Sequence, residues 1–335
     1  MSRQRKKGVN LENYFTICGI NRCMKLITGE NDSGRRLDRV LRKALPDHPL
    51  ALIHRLLRRR QVFVNGKPAA AQDRLEAGVT ISIPSIGESQ QPVNAPPSSP
   101  LPDIIWERAG LLAVNKPAGL AVHGHGSLDT MVQSYFKGKL PASLSFRPGP
   151  LHRLDKPSSG IVVFSASLEG AQLFTSLLRE RKVKKTYLAI VEGNAQKEET
   201  WEDELVRDRE KKKTFVEKSD RPPNAVTKIM PIASRNGFSF IHVEIATGRT
   251  HQIRAQAAAH GFPLAGDVKY NAKNRNISLG EQRIKSKEHH TEFFLHAYRL
   301  EFLEYSIEAP PPDAFRKKIE EIFGDISCQT EGKFT

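Results

Sequence analysis

One carboxylate near the middle of the chain has neighbours in sequence that could support a catalytic role. Asp155 lies between two cations, Arg153 and Lys156, a few residues before a short apolar run at 161–164. Neighbouring positive charge favours the ionised form of a carboxyl group. An ionised carboxylate on a rigid element can act as a nucleophile or a base. The residues alone also allow a plainer interpretation, in which Asp155 caps a turn and Arg153 is a surface cation.

The residues that follow Asp155 predict a turn and then a buried strand. Residues 157–160 are Pro, Ser, Ser and Gly, which are turn-forming types. Residues 161–164 are Ile, Val, Val and Phe, an apolar and largely β-branched run that is typical of a core strand. We therefore expect the carboxylate at the mouth of a core strand.

The rest of the chain from residue 104 predicts more strands than helices. Apolar or alternating runs indicate strands near 104–106, 111–114, 187–191, 238–245 and 293–302. Helices are predicted after an N-cap at Ser167, over 250–260 and over 314–323. The charged segment 201–224 reads as a loop or an edge hairpin, and 271–290 as a polar loop. This pattern predicts an α+β fold with a mixed, largely antiparallel sheet.

The preceding segment, residues 33–84, predicts two helices and a small hairpin. Apolar residues recur at helical spacing after Leu37 and again after Leu50, and Asn65-Gly66 is a strong hairpin turn between strand-like runs. The basic residues of this segment form a dense set: Arg36, Arg39, Arg42, Arg58, Arg59 and Arg60. Such a set is either an RNA-binding surface or a solvated face, and its density favours RNA.

Composition narrows the class of protein. The chain has 335 residues, 39% hydrophobic and 27% charged, with a formal net charge of +15. Such an excess predicts a polyanionic partner, with nucleic acid first. No apolar run approaches the about 20 residues of a membrane span, so no membrane partner is expected. The three cysteines, Cys18, Cys23 and Cys328, fit neither a disulfide framework nor a zinc site. A reducing, cytoplasmic location is expected, although the basic N-terminus leaves organelle targeting open.

These observations predict five segments. They are a basic extension (1–32), a small RNA-binding domain (33–84), a Pro/Ser-rich linker (85–103), a catalytic domain (104–325) and a tail (326–335).

Three stretches in order resemble the RluA family of RNA pseudouridine synthases. They are His152-Arg153-Leu154-Asp155 with Ser159-Gly160 after it, residues 185–193, and residues 247–254. The resemblance spans about 104–313, and residues 33–84 resemble the S4 RNA-binding domain. Together they imply a pseudouridine synthase domain joined to a small S4-like α/β domain.

The family reaction breaks the C1′–N1 bond of uridine, turns the uracil and joins its C5 to C1′. It is an isomerisation, so the resemblance implies neither a cofactor nor a metal. It also implies that Asp155 is the essential aspartate, that Arg249 pairs with it, and that Tyr187 stacks on the uracil and takes part in proton transfer at C5. Attack on C1′, removal of the C2′ proton and attack on C6 all remain open for Asp155.

Three further residues are candidates for substrate binding. Arg153 resembles the family arginine that helps to extrude the target nucleotide. Lys116 is either a phosphate contact or an ordinary turn lysine, and Ile253 is either an apolar wall beneath the base or a residue of the helix core.

The preferred substrate is large-subunit ribosomal RNA, because an S4-like domain beside this catalytic type resembles ribosomal RNA modifiers. Transfer RNA is the second candidate. Two rivals of other classes are a non-catalytic RNA-binding assembly factor and a glycosidase that releases free base. A monomer is the default expectation, and the sequence does not name the target uridine.

Overall fold

A computed structural model describes residues 16–18, 23–85, 101–270 and 293–325. Most of the predicted linker, the predicted loop at 271–290 and the C-terminal tail lie outside the described residues. None of the helices in the described ranges is long and apolar enough to cross a membrane.

The N-terminal unit is a five-stranded sheet with two helices packed on it. Its elements are β1 (Thr16–Cys18), β2 (Cys23–Ile27), α1 (Leu37–Ala44), α2 (Leu50–Arg58), β3 (Phe63–Val64), β4 (Lys67–Pro68) and β5 (Thr80–Pro84). The sheet order is β1-β2-β5-β3-β4. Apolar faces of both helices and of β2 and β5 enclose one core, which includes Leu26, Leu41, Ile53 and Ile81. Helices form here because their apolar residues recur at helical spacing and need a sheet to cover them.

This unit begins earlier than the sequence predicted. The boundary at residue 33 is wrong, because β1 and β2 belong to the same sheet as β5. Only Leu26 of β2 is buried, so buried and exposed residues do not alternate along the strand. The sequence therefore lacks the period-two pattern by which a strand is recognised. It becomes a strand by pairing with β5, more than fifty residues later in the chain.

The second unit is one large sheet covered by helices on both faces. Its elements are β6 (Ile104–Arg108), β7 (Leu111–Lys116), α3 (Leu128–Phe136), β8 (Ser159–Ser165), α4 (Leu168–Arg179), β9 (Lys184–Glu192), β10 (Glu199–Asp208), β11 (Lys213–Glu217), β12 (Ala225–Arg235), β13 (Phe238–Ile245), α5 (Gln252–Ala259), β14 (Leu295–Phe302), β15 (Tyr305–Glu308) and α6 (Asp313–Phe323). The order is β11-β10-β12-β13-β9-β14-β8-β7-β6, with β15 beside β14. Among the described strands only β8 and β14 pair in parallel, so the predicted mixed, largely antiparallel α+β fold is confirmed.

Alternate residues of the central strands enter different cores. Val162 and Ala189 pack in the core that includes residues of α3 and α5. Their neighbours Val163 and Ile190 pack in cores that include α4 and α6. Because successive strand residues point to opposite faces, α3 and α5 cover one face of the sheet and α4 and α6 the other. All seven residues of β8 are buried, as expected for a strand covered on both faces.

The two units meet at a buried carboxylate. Asp32 is fully buried and accepts hydrogen bonds from Ser143 Oγ (2.7 Å), Leu144 N (2.9 Å) and Ser145 N (3.0 Å). Arg35 also donates to Ser145 Oγ at 2.8 Å. These contacts join the turn before α1 to the loop after α3 through satisfied polar groups.

Candidate active site

The loop that carries Asp155 is held by hydrogen bonds to β8, the strand that follows it in the chain. Leu151 N donates to Val163 O at 2.8 Å, and Val163 N donates to Nε2 of His152 at 3.0 Å. Burial lowers the pKa of His152 to about 3, so the ring is neutral and can accept this bond. Leu154 inserts into the core beside Tyr187. These anchors leave the side chain of Asp155, which is 17% exposed, at the rim of the sheet core.

Lys116 supports this loop from inside the protein. It ends β7 and is fully buried, and its Nζ donates to the carbonyl oxygens of Pro117 (2.9 Å), Leu120 (2.9 Å) and Lys156 (3.2 Å). Burial lowers the pKa of Lys116 to about 8, and the negative charge of Asp155 opposes that shift. The predicted phosphate contact of Lys116 is wrong, because its ammonium group points inward to three carbonyls.

Asp155 is paired with Arg254, from the first turn of α5. Arg254 Nη1 donates to Asp155 Oδ2 at 3.0 Å, while Nε and Nη2 donate to Asp267 Oδ2 and Oδ1 at 2.7 and 2.9 Å. Asp267 is fully buried and Arg254 nearly so. Burial alone would lower the pKa of Arg254, but its bonds to Asp267 and Asp155 raise it above the ordinary value. One guanidinium therefore bridges two carboxylates and fixes the orientation of Asp155.

The predicted pairing of Arg249 with Asp155 is wrong. Arg249 is exposed in the loop before α5, where its Nε donates to Asn224 O at 3.3 Å. The stretch 247–254 contains two arginines, and the sequence prediction chose the one outside the helix. A usable signal was present, because Arg254 is the single charged residue in the Gln, Ile and Ala sequence of α5. A lone charge in such a helix needs a buried partner.

Tyr187 and Ile253 lie in the same core cluster as Leu154. Both are nearly buried, and burial, followed by the charge of Asp155, raises the pKa of Tyr187 above its ordinary value. The phenol therefore keeps its proton at neutral pH. Arg153 is exposed on the loop next to Asp155. The structure thus brings Asp155, Tyr187 and Ile253 to one face of the sheet, with Arg153 beside them.

The sequence prediction also missed a second neighbour of Asp155. Nε2 of His251 lies 3.7 Å from Asp155 Oδ1, the oxygen that Arg254 does not hold. Cationic residues of the edge hairpin and of the segment after α5, Arg207 and Lys269, lie close enough to shift the pKa of His251. These positive charges favour a negatively charged group in the site.

Five of the six arginines predicted to bind RNA, Arg39, Arg42, Arg58, Arg59 and Arg60, are exposed on the N-terminal unit. The sixth, Arg36, is partly buried and forms an ion pair with Asp38 at 2.8 Å. RNA binding by these residues stays a prediction.

The arrangement places a directed carboxylate beside a surface that suits a flat ring. A carboxylate with one oxygen held and the other open can attack or take a proton. A phenol and apolar side chains beside it offer a surface on which a base can stack. Within the described ranges, no three His, Cys, Asp or Glu residues are placed to hold a metal ion.

Comparisons with known proteins agree with this chemistry. Residues 110–259 match the family model described as RNA pseudouridylate synthase. The chain is 33% identical over 291 residues to the ribosomal large subunit pseudouridine synthase D of Neisseria meningitidis serogroup A, covering 84% of this chain and 77% of that protein. It is 30% identical to the ribosomal large subunit pseudouridine synthase C of Pasteurella multocida, covering 84% and 87%. The structure of human RNA pseudouridylate synthase domain containing 4 matches the fold with a TM-score of 0.51 at 22% identity, covering 65% of this chain and 91% of that one.

Proposed function

Because the chain belongs to the RluA family of RNA pseudouridine synthases, and so converts uridine to pseudouridine in RNA, we propose that Asp155 carries the reaction and that the substrate is large-subunit ribosomal RNA. The observation that supports the first part most directly is the clamp on Asp155. Arg254 donates to one carboxylate oxygen, Oδ2, at 3.0 Å, and this bond does not involve the other oxygen, Oδ1.

The reaction needs a charged carboxylate close to the ribose. The Arg254 guanidinium favours the ionised form of Asp155 and fixes its direction. Attack of the free oxygen on C1′ breaks the C1′–N1 bond and leaves its electron pair on N1 of the uracil. The base then turns, C5 bonds to C1′, and the carboxylate leaves C1′. Removal of the C2′ proton by the same oxygen is the alternative first step. In that second route the proton returns to C2′ as C5 bonds to C1′. In both routes C5 loses its proton last and N1 gains one, so the product is an isomer of the substrate.

Tyr187 and Arg153 act on the base and its nucleotide in this proposal. The nearly buried ring of Tyr187, with Ile253 in the same core, offers a stacking surface for uracil. With its raised pKa, the neutral phenol is suited to stacking and hydrogen bonding more than to proton removal. Taking a base out of a stacked helix costs a few kcal/mol. The exposed Arg153 is placed to offset part of that cost by filling the vacated space.

The choice of ribosomal RNA is supported by two observations. Both curated relatives described above are named as ribosomal large subunit enzymes. The N-terminal unit, which we propose to be S4-like, exposes five of the six arginines predicted to bind RNA and is joined to the catalytic sheet through Asp32. That unit would place structured RNA over the site by phosphate contacts. Transfer RNA stays the second candidate.

The test compares wild type with Asp155→Asn, using Asp313→Asn as a matched control at an exposed aspartate on α6. Purified protein is given 23S-type ribosomal RNA or transfer RNA, and pseudouridine is mapped by carbodiimide treatment and reverse-transcription stops. We expect specific stops in ribosomal RNA with wild type and the control, none with Asp155→Asn, and RNA binding within about twofold for all three. Turnover by Asp155→Asn would refute the role of Asp155. Stops confined to transfer RNA would refute the substrate.

A further inference from the structure

His251 has an uncommon backbone conformation beside the reactive carboxylate. Its φ and ψ are 55° and 26°, in the left-handed region, at the residue that precedes α5. A residue with a Cβ pays a cost in this region, and such strain often occurs at functional sites. The conformation places the largely buried imidazole between Asp155 and Tyr270.

A short chain of hydrogen bonds determines which ring nitrogen of His251 carries the proton. The backbone N–H of Thr214 in β11 donates to the hydroxyl of Tyr270 at 2.9 Å. The same hydroxyl lies 2.9 Å from His251 Nδ1. Since its contact with Thr214 N uses a lone pair, the Tyr270 hydroxyl has its own hydrogen to donate to Nδ1. Because Nδ1 accepts this hydrogen bond, the proton of the neutral ring lies on Nε2.

The imidazole is neutral at physiological pH. Burial, together with the positive charges of Arg254, Lys269 and Arg207, lowers the pKa of His251 to about 4 and outweighs the opposing effect of Asp155. A neutral ring with an acceptor at Nδ1 can present only an N–H at Nε2.

We propose that Tyr270 and His251 form a positioning pair for Asp155, in which Tyr270 fixes the imidazole so that Nε2–H faces the reactive oxygen Oδ1. The inference rests on the proposed role of Asp155. The separation of 3.7 Å is longer than a hydrogen bond, so His251 leaves Oδ1 free to react. Such contacts commonly shorten when substrate binds. The N–H then orients Oδ1 toward the sugar while Arg254 holds Oδ2.

Tyr270 positions both partners of Asp155. Its ring packs edge-on against His251, with centroids 5.8 Å apart, and the Arg254 guanidinium lies 4.9 Å from the ring centre. Through Thr214 the edge hairpin of β10 and β11 is therefore connected to the reacting group. This gives the charged segment 201–224, for which the sequence suggested no chemistry, a role in the site.

The first test is spectroscopic and does not depend on activity. Protein labelled with ¹⁵N at histidine is studied by long-range proton–nitrogen correlation at pH 7, and the His251 signals are assigned by their loss in His251→Gln. We expect the neutral tautomer with the proton on Nε2 in wild type. In Tyr270→Phe, which keeps the ring but removes the hydroxyl, we expect a mixture of tautomers. A wild-type ring protonated at Nδ1, or on both nitrogens, would overturn the proposal.

The second test separates a donor at Nε2 from mere packing. Gln places an amide N–H near the position of Nε2, whereas Asn tolerates the left-handed backbone but is too short to reach Asp155. At saturating RNA we expect single-turnover rates within about threefold of wild type for His251→Gln. Losing one hydrogen bond to the ionised carboxylate predicts a fall of about 10- to 150-fold for His251→Asn. Tyr270→Phe should fall by less, because part of its imidazole population still carries the proton on Nε2. RNA dissociation constants should stay within about twofold.

Each outcome of the kinetic series has one meaning. Equal losses for His251→Gln and His251→Asn, or losses that appear only in RNA binding, would overturn the positioning role. Thermal unfolding is measured in parallel, because Thr214 N–H loses its acceptor in Tyr270→Phe. Asp155→Asn is included on the same RNA. If that variant stays active the proposed function fails, whereas the tautomer of His251 is judged from the spectra alone.

Discussion

Replacing Arg254 by methionine tests which arginine pairs with Asp155. The structure shows Arg254 in that position, whereas the sequence prediction chose Arg249. The substitution keeps an unbranched apolar stem and removes three charge-assisted hydrogen bonds, one to Asp155 and two to Asp267. The same change at the exposed Arg249 removes a bond to the Asn224 carbonyl. The two variants therefore form a matched pair five residues apart in one motif.

The expected loss of stability follows from Asp267. It is fully buried, and among the described residues Arg254 is the only group that donates to its side chain. Leaving one member of a buried ion pair without its partner costs about 3–5 kcal/mol. An exposed substitution such as Arg249→Met changes the unfolding free energy by about 0.5 kcal/mol or less.

The expected loss of rate follows from Asp155. Its one bond to the guanidinium is charge-assisted and is worth about 1.5–3 kcal/mol. If that contribution is carried into the transition state, single turnover slows by about 10- to 150-fold. Asp155 is partly exposed, so water can replace the lost donor but not its orientation.

Chemical denaturation and single-turnover rates at saturating RNA measure both effects. A further variant, Arg254→Met with Asp267→Leu, separates them, because replacing both members of a buried pair by apolar residues is often neutral for stability. We expect it to regain most of the stability of Arg254→Met while staying slow, since Asp155 still has no partner. The reasoning is refuted if Arg254→Met turns over at the wild-type rate while Arg249→Met is inactive.

Three further substitutions test other parts of the structure by denaturation. Between pH 8 and 10.5 the unfolding free energy of wild type should rise relative to Lys116→Met by up to about 1.4 kcal/mol per pH unit, because the unfolded lysine keeps its proton while the folded one has lost it. A difference that is flat with pH would contradict the buried position of Lys116. Asp32→Ala leaves three buried or partly buried N–H groups without an acceptor and should cost at least about 3 kcal/mol, whereas Ser143→Ala should cost about 1 kcal/mol; equal costs would argue against the junction. Gly160→Ala should cost more than about 3 kcal/mol, because φ is +107° and a Cβ would lie 2.2 Å from a carbonyl oxygen of β14. Gly119→Ala, at φ +84° in open space, should cost about 1 kcal/mol, and a similar loss at both glycines would contradict the close approach of β8 and β14.

Elements with a strong local period were predictable from the sequence. The alternating run at 238–245 forms β13 over Phe238–Ile245, and the predicted helix at 314–323 forms α6 over Asp313–Phe323. The charged segment 201–224 contains the edge hairpin of β10 and β11, one of the two forms that the sequence allowed. In each case the apolar period or the turn residues lie within the element itself, so no distant contact is needed to recognise it.

The position of Asp155 before a core strand was likewise decided locally, by a turn sequence followed by a β-branched run. The family was recognisable because three motifs occur in a fixed order, which does not depend on knowing where their side chains meet.

Tertiary structure alone decided which residues meet Asp155. Arg254 and Asp155 are 99 residues apart in sequence, and Asp32 and Ser143 are 111 apart. Nothing in the loop around residue 116 indicates that its lysine turns inward to three carbonyls. The tautomer of His251 depends on Thr214 and Tyr270, from two other elements. Local patterns report the period with which a segment buries its own side chains, whereas a buried charge is placed by partners that only the folded sheet brings within 3 Å.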